Sequence, residues 1–410
     1  MKLKKVLFIT LFATSAISFA QLSKDVNETK YRRSSLHTIL IESENFPKKE
    51  NVINAYNNAP FPDKYDNHTI GEKSLDLTKL ISTDNLKDEN IVTAINQYFK
   101  DNKIANKLVA KWFNRKKDGS FDIELIGERG LINASFTDIK TAEASAEGKA
   151  LLKTAGLDLI GNTFVVVSKM KFLENEPIAK AARDVALKSA ENIKMELLRT
   201  GAIEAANLAY EKGKEGYSVW TTSFLYKLKW DDVTSNTFYQ DLWINPSETG
   251  TEEKKSKFDS SDLFQLEYLG SETSSSLVTF SLTQKRTEDE IINLSVTRNI
   301  DNVYAKLQKK YDVFKTKTPL FTGNPITAKI GLKEGLEGGE KFEVLEATMD
   351  PKTGIVEYKK KGVIKVDKKA IWDNRYKADT TSEETTSTVT ATSFSGGDKF
   401  YPGMLIRQIN

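Results

Sequence analysis

The sequence predicts an α/β or α+β fold in which a mixed sheet with packed helices is followed by a small C-terminal antiparallel β-barrel-like module. Two observations carry this prediction. A long β-type run at residues 163–172 is followed by an alanine-rich helical region and a second β-type run at residues 224–230. After residue 319, short β-type runs separated by glycine turns replace the helical periodicity. The first succession is typical of mixed layer folds, and the second of a small barrel or sandwich.

The N-terminal residues 1–20 have the composition of a cleavable secretory signal peptide. Three lysines supply a positive start, an apolar run follows, and small residues precede the predicted cleavage between Ala20 and Gln21. A membrane anchor is the alternative, but a spanning helix needs about 20 predominantly apolar residues and this run is shorter. The chain has no cysteine, which excludes lipid attachment through a thiol. We therefore expect an exported protein (periplasmic, outer-membrane associated or secreted) with no transmembrane segment after processing.

Charge and size narrow the class of function. The chain has 60 Lys+Arg and 57 Asp+Glu, and removal of the three signal-peptide lysines leaves 57 against 57. This balance argues against a binder of nucleic acid, which would need a basic excess. A mature chain of about 390 residues exceeds one ordinary core, so more than one domain is expected. Without cysteine, those cores must be stable without disulfides.

The first part of the mature chain predicts one short strand and three helices. Residues 36–41 form an aliphatic run that suits a strand, whereas residues 46–71 contain three prolines and predict an irregular connection. Apolar residues recur every fourth position over residues 91–99 and 104–112, which predicts two amphipathic helices. A third helix is expected at residues 138–155, where alanines recur on one face.

The central region is predicted to alternate strand, helix and strand, in the manner of a βαβ unit. Residues 163–172 begin continuously apolar and end in alternation, so the start should be buried on both faces and the end on one. The helical region covers residues 177–212, with Gly201 as its candidate interruption. A second strand follows Gly216, with aromatic and aliphatic residues at period two over residues 224–230.

Further elements follow before the C-terminal module. We expect a charged loop at residues 247–261, strands at 264–269 and 277–282, and a helix at 287–310 that opens with a capping box. Residues 311–314 offer one more strand to the sheet.

The C-terminal module should be antiparallel and roughly 90 residues long. A turn is expected at residues 350–354, and a Thr/Ser/Glu tract at 379–394 is too polar to pack, so it predicts a mobile loop. A closing strand is expected at residues 400–406. The preceding strands are predicted at residues 326–330, 342–345, 356–358 and 363–366.

These features predict three parts of the chain. They are the signal peptide 1–20, an α/β domain 21–318 and the β-module 319–410. The α/β domain admits a subdivision into 33–135 and 136–318.

Several strings resemble a family of uncharacterised exported envelope proteins of Bacteroidetes-type bacteria. They include RRSSLHTILI, KIANKLVAKWFNR, GLDLIGNTFVVV, FYQDLW and TPLFTGNPITAKIGLKEGLEGGEKFEVLE. The strand–helix–strand unit at residues 162–230 is similar to CsgG-like and TolB-N-like α/β domains. The strings GLKEGLEGGEKFEVLE, KGVIKV and GGDKFYPGML resemble the C-terminal β-barrel of FlgT-like proteins. The resemblance implies an envelope location and no known catalytic residue.

Residues that carry chemistry are scarce. There are two histidines, His37 and His68, and neither a paired-histidine zinc motif nor a phosphate-binding loop is present. His37 is interpreted as a strand residue with a hydrogen-bonded ring. His68 lies in a polar stretch and could join Asp63, Asp66 and Asn67 at a weak cation site, although turn capping is the simpler role for such side chains. We therefore predict no catalytic residue, no metal site and no cofactor.

Two groups of residues are candidates for a ligand surface. Trp220 and Trp243 belong to an aromatic-rich stretch that could form a sugar platform, although period-two placement favours core packing for most of it. Lys359, Lys360 and Lys361 form a basic patch that could meet an anionic polymer, or be a solvated hairpin face.

The function predicted from these features is that of a non-enzymatic exported cell-envelope protein. It would act by contact with an envelope protein or an envelope polymer. The alternative is a secreted hydrolase or carbohydrate-binding protein, because the 57 acidic residues leave room for a glycosidase-type carboxylate pair, although none stands out.

Overall fold

The computed structural model describes residues 32–42, 46–78, 80–81, 88–130, 158–278, 287–349, 356–378, 389–397 and 399–409. Within them, helices pack on a mixed six-stranded sheet, and a closed six-stranded antiparallel barrel forms the C-terminal region. The predicted fold class is therefore confirmed. The signal peptide, the helix expected at 138–155 and the turn expected at 350–354 lie outside the described residues.

The sheet contains strands β1 to β6, and the barrel contains β7 to β12. Their bounds are β1 Ser35–Ile41, β2 Asp66–Asn67, β3 Ser74–Leu75, β4 Thr163–Glu174, β5 Tyr217–Lys229, β6 Gln265–Val278, β7 Thr318–Gly323, β8 Ile326–Ala328, β9 Lys341–Met349, β10 Val356–Val366, β11 Thr392–Ser395 and β12 Leu405–Ile409.

The α-helices of the described residues are numbered in chain order. Their bounds are α1 Lys49–Asn58, α2 Asp88–Asp101, α3 Ile104–Trp112, α4 Glu124–Gly130, α5 Asn175–Glu191, α6 Glu196–Gly213, α7 Asp232–Thr237, α8 Glu252–Ser260 and α9 Glu288–Lys310. Shorter turns include a π-helical turn at Phe238–Leu242 and 3₁₀ turns at Asp312–Phe314 and Leu332–Glu334.

The sheet has the strand order β2–β1–β4–β5–β6, with β3 also paired to β1. β1 is parallel to β2, β3 and β4, whereas β5 is antiparallel to both β4 and β6. Helices α1 and α9 cover one face of the sheet, and α2 and α3 cover part of the other. An aromatic cluster around Phe113, Phe121 and Phe238 fills the end of the sheet at which β4 begins, which we call the lower end.

The central unit differs from the predicted βαβ arrangement. The helical region is two helices, α5 and α6, and it returns the chain so that β5 runs antiparallel to β4. The break falls at residues 192–195, not at Gly201, which lies inside α6. A single crossover helix carries the chain to the opposite end of the sheet, so the next strand is parallel to the first. A hairpin of two helices returns the chain to the same end of the sheet, so the next strand is antiparallel.

Two segments predicted as loop or strand are helical. α8 lies within the expected loop 247–261, because Glu253 pairs with Lys257 one turn later over 2.6 Å and Phe258 is fully buried in the aromatic cluster. Residues 311–314 were predicted as a strand, but the residues Asp312–Phe314 form a 3₁₀ turn that buries Phe314 against Tyr65, with ring centroids 4.9 Å apart. The expected irregular connection at 46–71 likewise contains α1.

Two strand predictions also need correction. Residues 265–269 of the expected strand 264–269 and the first two residues of the expected strand 277–282 belong to one long strand, β6. Residues 279–282 lie outside the described residues. The loop predicted at 379–394 overlaps β11, whose Phe394 packs in the barrel core. Residues 379–388 of that loop lie outside the described residues.

The barrel closes in the strand order β10–β11–β8–β7–β12–β9, with β9 paired again to β10. The glycine-rich segment at residues 331–339 connects β8 to β9, where Gly335, Gly338 and Gly339 adopt positive φ angles. Within the part of the chain that the structure describes, no helix is both long and apolar enough to cross a bilayer.

Candidate functional site

The upper half of the sheet, toward the end of β4, is covered on one face only. Residues of β4 that face α9, from Phe164 to Phe172, are buried throughout. On the opposite face, Val165 and Val167 are buried under α2 and α3, but Lys169 is half-buried and Lys171 is exposed. The change from valine to lysine along this face coincides with the end of the covering helices.

Trp220 lies at the centre of this uncovered region. It pairs with Lys171 of β4 on one side and with Ser275 of β6 on the other, and its side chain is 47% exposed. Directly paired residues in neighbouring strands point to the same face of a sheet, so these three side chains are neighbours. We call the surface formed by Lys169, Lys171, Ser218, Trp220, Thr222, Thr273 and Ser275 the open face.

Polar side chains surround the tryptophan on the open face. The hydroxyls of Thr222 and Thr273 are hydrogen-bonded to each other across β5 and β6 at 2.9 Å. The open face therefore presents one flat aromatic ring among hydroxyls and lysines, with no helix over it among the described residues.

A helical hairpin projects from the same end of the sheet. α5 follows β4 directly, and α6 leads into β5 through three residues. The two helices pack mainly on each other through small residues such as Ala190 and Ala206, which are buried. Near the base, the Arg183 guanidinium lies 4.3 Å from the ring centroid of Tyr210, which fixes the antiparallel alignment of the two helices.

Each helix of the hairpin carries an exposed apolar stripe. Ile178 and Val185 lie on α5, and Leu198 and Leu208 on α6, all of them exposed. Successive residues of an α-helix are rotated by about 100° around its axis. Each stripe is therefore rotated by roughly 130° from the side of its helix that contacts the other helix, and the rotation has the same sense in both helices. Because the helices are antiparallel, both stripes therefore lie on the same side of the hairpin. We call this surface, formed by Ile178, Ala182, Val185, Leu198, Gly201, Ala205 and Leu208, the hairpin face.

The residues proposed from sequence lie at three separate places. Trp220 is on the open face, whereas the Trp243 ring is packed against Phe121 in the aromatic cluster, with centroids 5.5 Å apart. Lys359, Lys360 and Lys361 are exposed on β10 of the barrel, with Lys361 paired to Glu346. The structure thus does not combine them into one site. Ala20 and Gln21 lie outside the described residues.

The hairpin face was not recognised in the sequence. Its alanines and glycine carry no chemical signal, and alanine-rich helices are usually buried against a neighbour. The signal that could have found it is the charge-free stripe at positions 178, 182 and 185, next to a helix that has equivalent positions.

His68 is not in a polar loop, as the sequence suggested, but is fully buried. Its Nε2 lies 2.9 Å from the carbonyl oxygen of Leu108, its Nδ1 faces Arg129, and its ring stacks on Trp112. Both ring nitrogens are therefore engaged with the protein, which leaves neither for a cation. Burial lowers the pKa of His68 to about 3.

His37 is buried in β1 as expected, and burial lowers its pKa to about 4. Unlike the ring of His68, its ring has neither nitrogen in good hydrogen-bond geometry with a described residue, which corrects the prediction of a hydrogen-bonded ring. The charge and the main chain of Glu72 oppose the effect of burial on the pKa. Among the described residues, no group of three or more Asp, Glu or His side chains is arranged to hold a metal ion.

Comparisons with known proteins give no further guide. No protein-family model matches the chain, and a search of curated proteins finds no relative. A function must therefore be argued from the geometry.

Proposed function

We propose that this chain is a non-enzymatic exported cell-envelope protein that acts by protein–protein contact through the hairpin face, and that the hairpin face binds its counterpart on a second copy. The observation that carries the proposal is the pair of exposed apolar stripes on the same side of a hairpin that no other described element covers. Export is supported by the signal-peptide pattern of residues 1–20.

The exposed stripes favour a packing surface over a solvated one. Val185 is 67% exposed, and Ile178, Leu198 and Leu208 are exposed beside it. Burial of apolar surface contributes about 25 cal/mol per Å², so covering four such side chains stabilises an interface. Single exposed apolar residues are normal on a surface, but four on the same side of one hairpin favour a binding surface.

The composition of the hairpin face favours a second copy as its occupant. Neither stripe contains a charged residue, so two identical faces meet without like charges in opposition. Ala182, Gly201 and Ala205 have small side chains and permit close helix approach. A two-fold axis on this side of the hairpin would bring the stripes of one copy against the stripes of the other.

A membrane surface fits the hairpin less well. Residues 175–213 carry six Lys+Arg and six Asp+Glu, so the polar side of the hairpin is electrically balanced. Helices that lie in a membrane interface usually have a polar face rich in lysine and arginine and bulky aromatic residues on the other. The hairpin face has no aromatic residue.

Sedimentation velocity of the mature protein over a concentration series tests the proposal. We expect a concentration-dependent dimer that Val185→Glu weakens by at least about tenfold. Val233→Glu is the matched control, because Val233 is 73% exposed on α7 and lies outside the hairpin face. Circular dichroism should show unchanged helix content in both variants. A wild-type protein that stays monomeric at about 100 µM, or equal effects of the two substitutions, overturns self-association.

Export is tested by the mass of the mature protein from its host. Cleavage after Ala20 predicts a chain that begins at Gln21. Retention of residues 1–20 in the exported fraction would refute it.

A second candidate function, binding of an envelope glycan polymer, is favoured by the open face. Aromatic rings exposed among hydroxyl groups suit sugar rings, which present an apolar face and a polar edge. A glycan array should then show binding that Trp220→Ala abolishes and Tyr401→Ala, at an equally exposed aromatic residue of the barrel, leaves intact. A panel of chromogenic glycosides tests hydrolysis, and turnover abolished by one Asp or Glu substitution would favour an enzyme.

A further inference from the structure

A polar cavity of about 180 Å³ lies where the sheet domain meets the barrel. Its lining comes from both parts of the molecule. Arg33 precedes β1, Asp158 precedes β4, Lys315 and Lys317 lie in the connection to the barrel, Tyr358 lies on β10, and Arg407 on β12.

Positive charge prevails in this cavity. Its lining includes Arg33, Lys64, Lys315, Lys317 and Arg407, against two carboxylates, Asp158 and Asp312. Each carboxylate already has a basic partner, because Arg33 lies 3.2 Å from Asp158 and Lys315 lies 2.5 Å from Asp312. Arg407 pairs with Glu343, its Nε donating over 2.7 Å.

These pairs leave two basic residues of the lining, Lys64 and Lys317, and Lys64 donates a hydrogen bond to the Lys329 carbonyl over 3.2 Å. The ammonium group of Lys317 lies 4.0 Å from the ring centroid of Tyr358, and it has no carboxylate within ion-pair distance in the described part of the chain. The side chain is half-buried. Burial, together with the charges of Arg407 and Arg33, lowers the pKa of Lys317.

We propose that this cavity binds the phosphate group of a small phosphorylated molecule or of free phosphate. An anion beside Lys317 would remove the repulsion among Lys317, Arg33 and Arg407. Phosphate carries up to two negative charges and presents several acceptor oxygens, which suit a site lined by two guanidinium groups and the compact charge of a lysine. A monocarboxylate would offset only one of these charges.

The position of the cavity gives binding a structural consequence. Arg33 belongs to the sheet domain, Arg407 to the strand that closes the barrel, and Lys317 to the connection between them. A phosphate group in contact with all three ties the barrel to the sheet domain. This site is separate from the hairpin face, so its test is independent of the proposed function.

Calorimetric titration and thermal unfolding of the full mature chain test the proposal. The probes are inorganic phosphate and glycerol 2-phosphate, each at constant ionic strength against chloride. We expect saturable binding and a raised Tm with both probes. Equal affinities identify free phosphate as sufficient, and a tighter ester identifies a larger phosphorylated ligand.

Lys317→Gln is the decisive variant, with Lys365→Gln as the matched control on an exposed part of β10. The first should weaken binding by at least about tenfold, and the second should leave it unchanged. In chloride alone, Lys317→Gln should raise Tm, because it removes a half-buried positive charge beside two arginines; this shows that the variant folds. Absence of saturable binding at about 10 mM of either probe, or unchanged binding by Lys317→Gln, overturns the proposal.

Discussion

Arg129 donates a hydrogen bond from Nη1 to Nδ1 of His68 over 3.0 Å, joining residues that are 61 positions apart in the chain. The same guanidinium lies 4.9 Å from the ring centroid of Trp112, on which His68 also stacks. Because Nδ1 accepts from a cation, Nε2 must carry the ring proton and donate it to the carbonyl of Leu108. The contact therefore requires a neutral imidazole.

The two buried histidines should make the protein sensitive to acid. The folded-state pKa is about 3 for His68 and about 4 for His37, below the unfolded value of 6.5. Below pH 6.5 the unfolded state binds more protons, so the free energy of unfolding falls as pH decreases from 6.5 toward 4 and then 3. We expect a loss of about 2.5 kcal/mol per histidine by pH 4.5, measured by urea unfolding. His37→Leu should remove about half of the histidine-dependent slope; an unchanged slope would contradict the assignment.

Substitution should distinguish the two histidines at neutral pH. His68→Leu leaves the Leu108 carbonyl and one N–H of Arg129 without their partner, which should cost about 2–4 kcal/mol. His37→Leu removes a ring that lacks well-formed hydrogen bonds, so its effect should stay within about 1 kcal/mol. Urea midpoints at pH 7.5 measure both, and equal losses would show that ring shape, not hydrogen bonding, dominates.

Local signals predicted the elements better than their arrangement. The capping box before α9 is present in both halves: Glu290 N–H donates to the Thr287 hydroxyl, and Thr287 N–H donates to the Glu290 carboxylate. By contrast, the antiparallel pairing of β4 and β5 depends on a turn at residues 192–195, where the sequence contains no glycine or proline. The sequence could not show which break would reverse the chain.

The same limit applies to the candidate site. Trp220 has the same period-two spacing as the buried residues on one face of its strand, as core aromatics do. Its exposure depends on where α2 and α3 end over the sheet. Trp243 follows the π-helical turn Phe238–Leu242 and packs against the aromatic cluster. The sequence could propose both tryptophans as candidates. Only the tertiary packing shows which of the two is exposed.

Asp301 on α9 should give a pH dependence of opposite sign. Burial raises the pKa of its carboxyl to about 7, although Lys333 from the barrel segment opposes the shift. The folded state thus holds a proton that the unfolded state releases near pH 3.8, so stability from this group is lost as pH rises from 3.8 to 7. Asp301→Asn should therefore stabilise the protein at pH 8 by about 1–3 kcal/mol and change little at pH 4.

A control for Asp301 is the exposed Asp312, whose pKa is lowered by its hydrogen bond to Lys315. Asp312→Asn should not stabilise the protein at pH 8. The free energy of unfolding at the two pH values, measured for both variants, checks the prediction. Stabilisation of equal size at pH 4 would show that the carboxyl is not protonated in the folded state.

Closure of the barrel by β12 predicts that the module from residue 319 unfolds separately from the sheet domain. β12 pairs with both β7 and β9, and Ile406 is fully buried in the barrel core. Ile406→Glu would bury a carboxylate there and leave two strand edges without a stable partner, so the barrel should lose its cooperative transition. Gln408→Glu is the matched control two residues along the same strand, where the side chain is half-buried. Calorimetry should show that Ile406→Glu removes one transition and keeps the transition of the sheet domain. Loss of both transitions would mean that the two parts unfold as one unit, joined by contacts such as that between Arg298 and the Tyr376 carbonyl. The boundary at 318 would then be wrong.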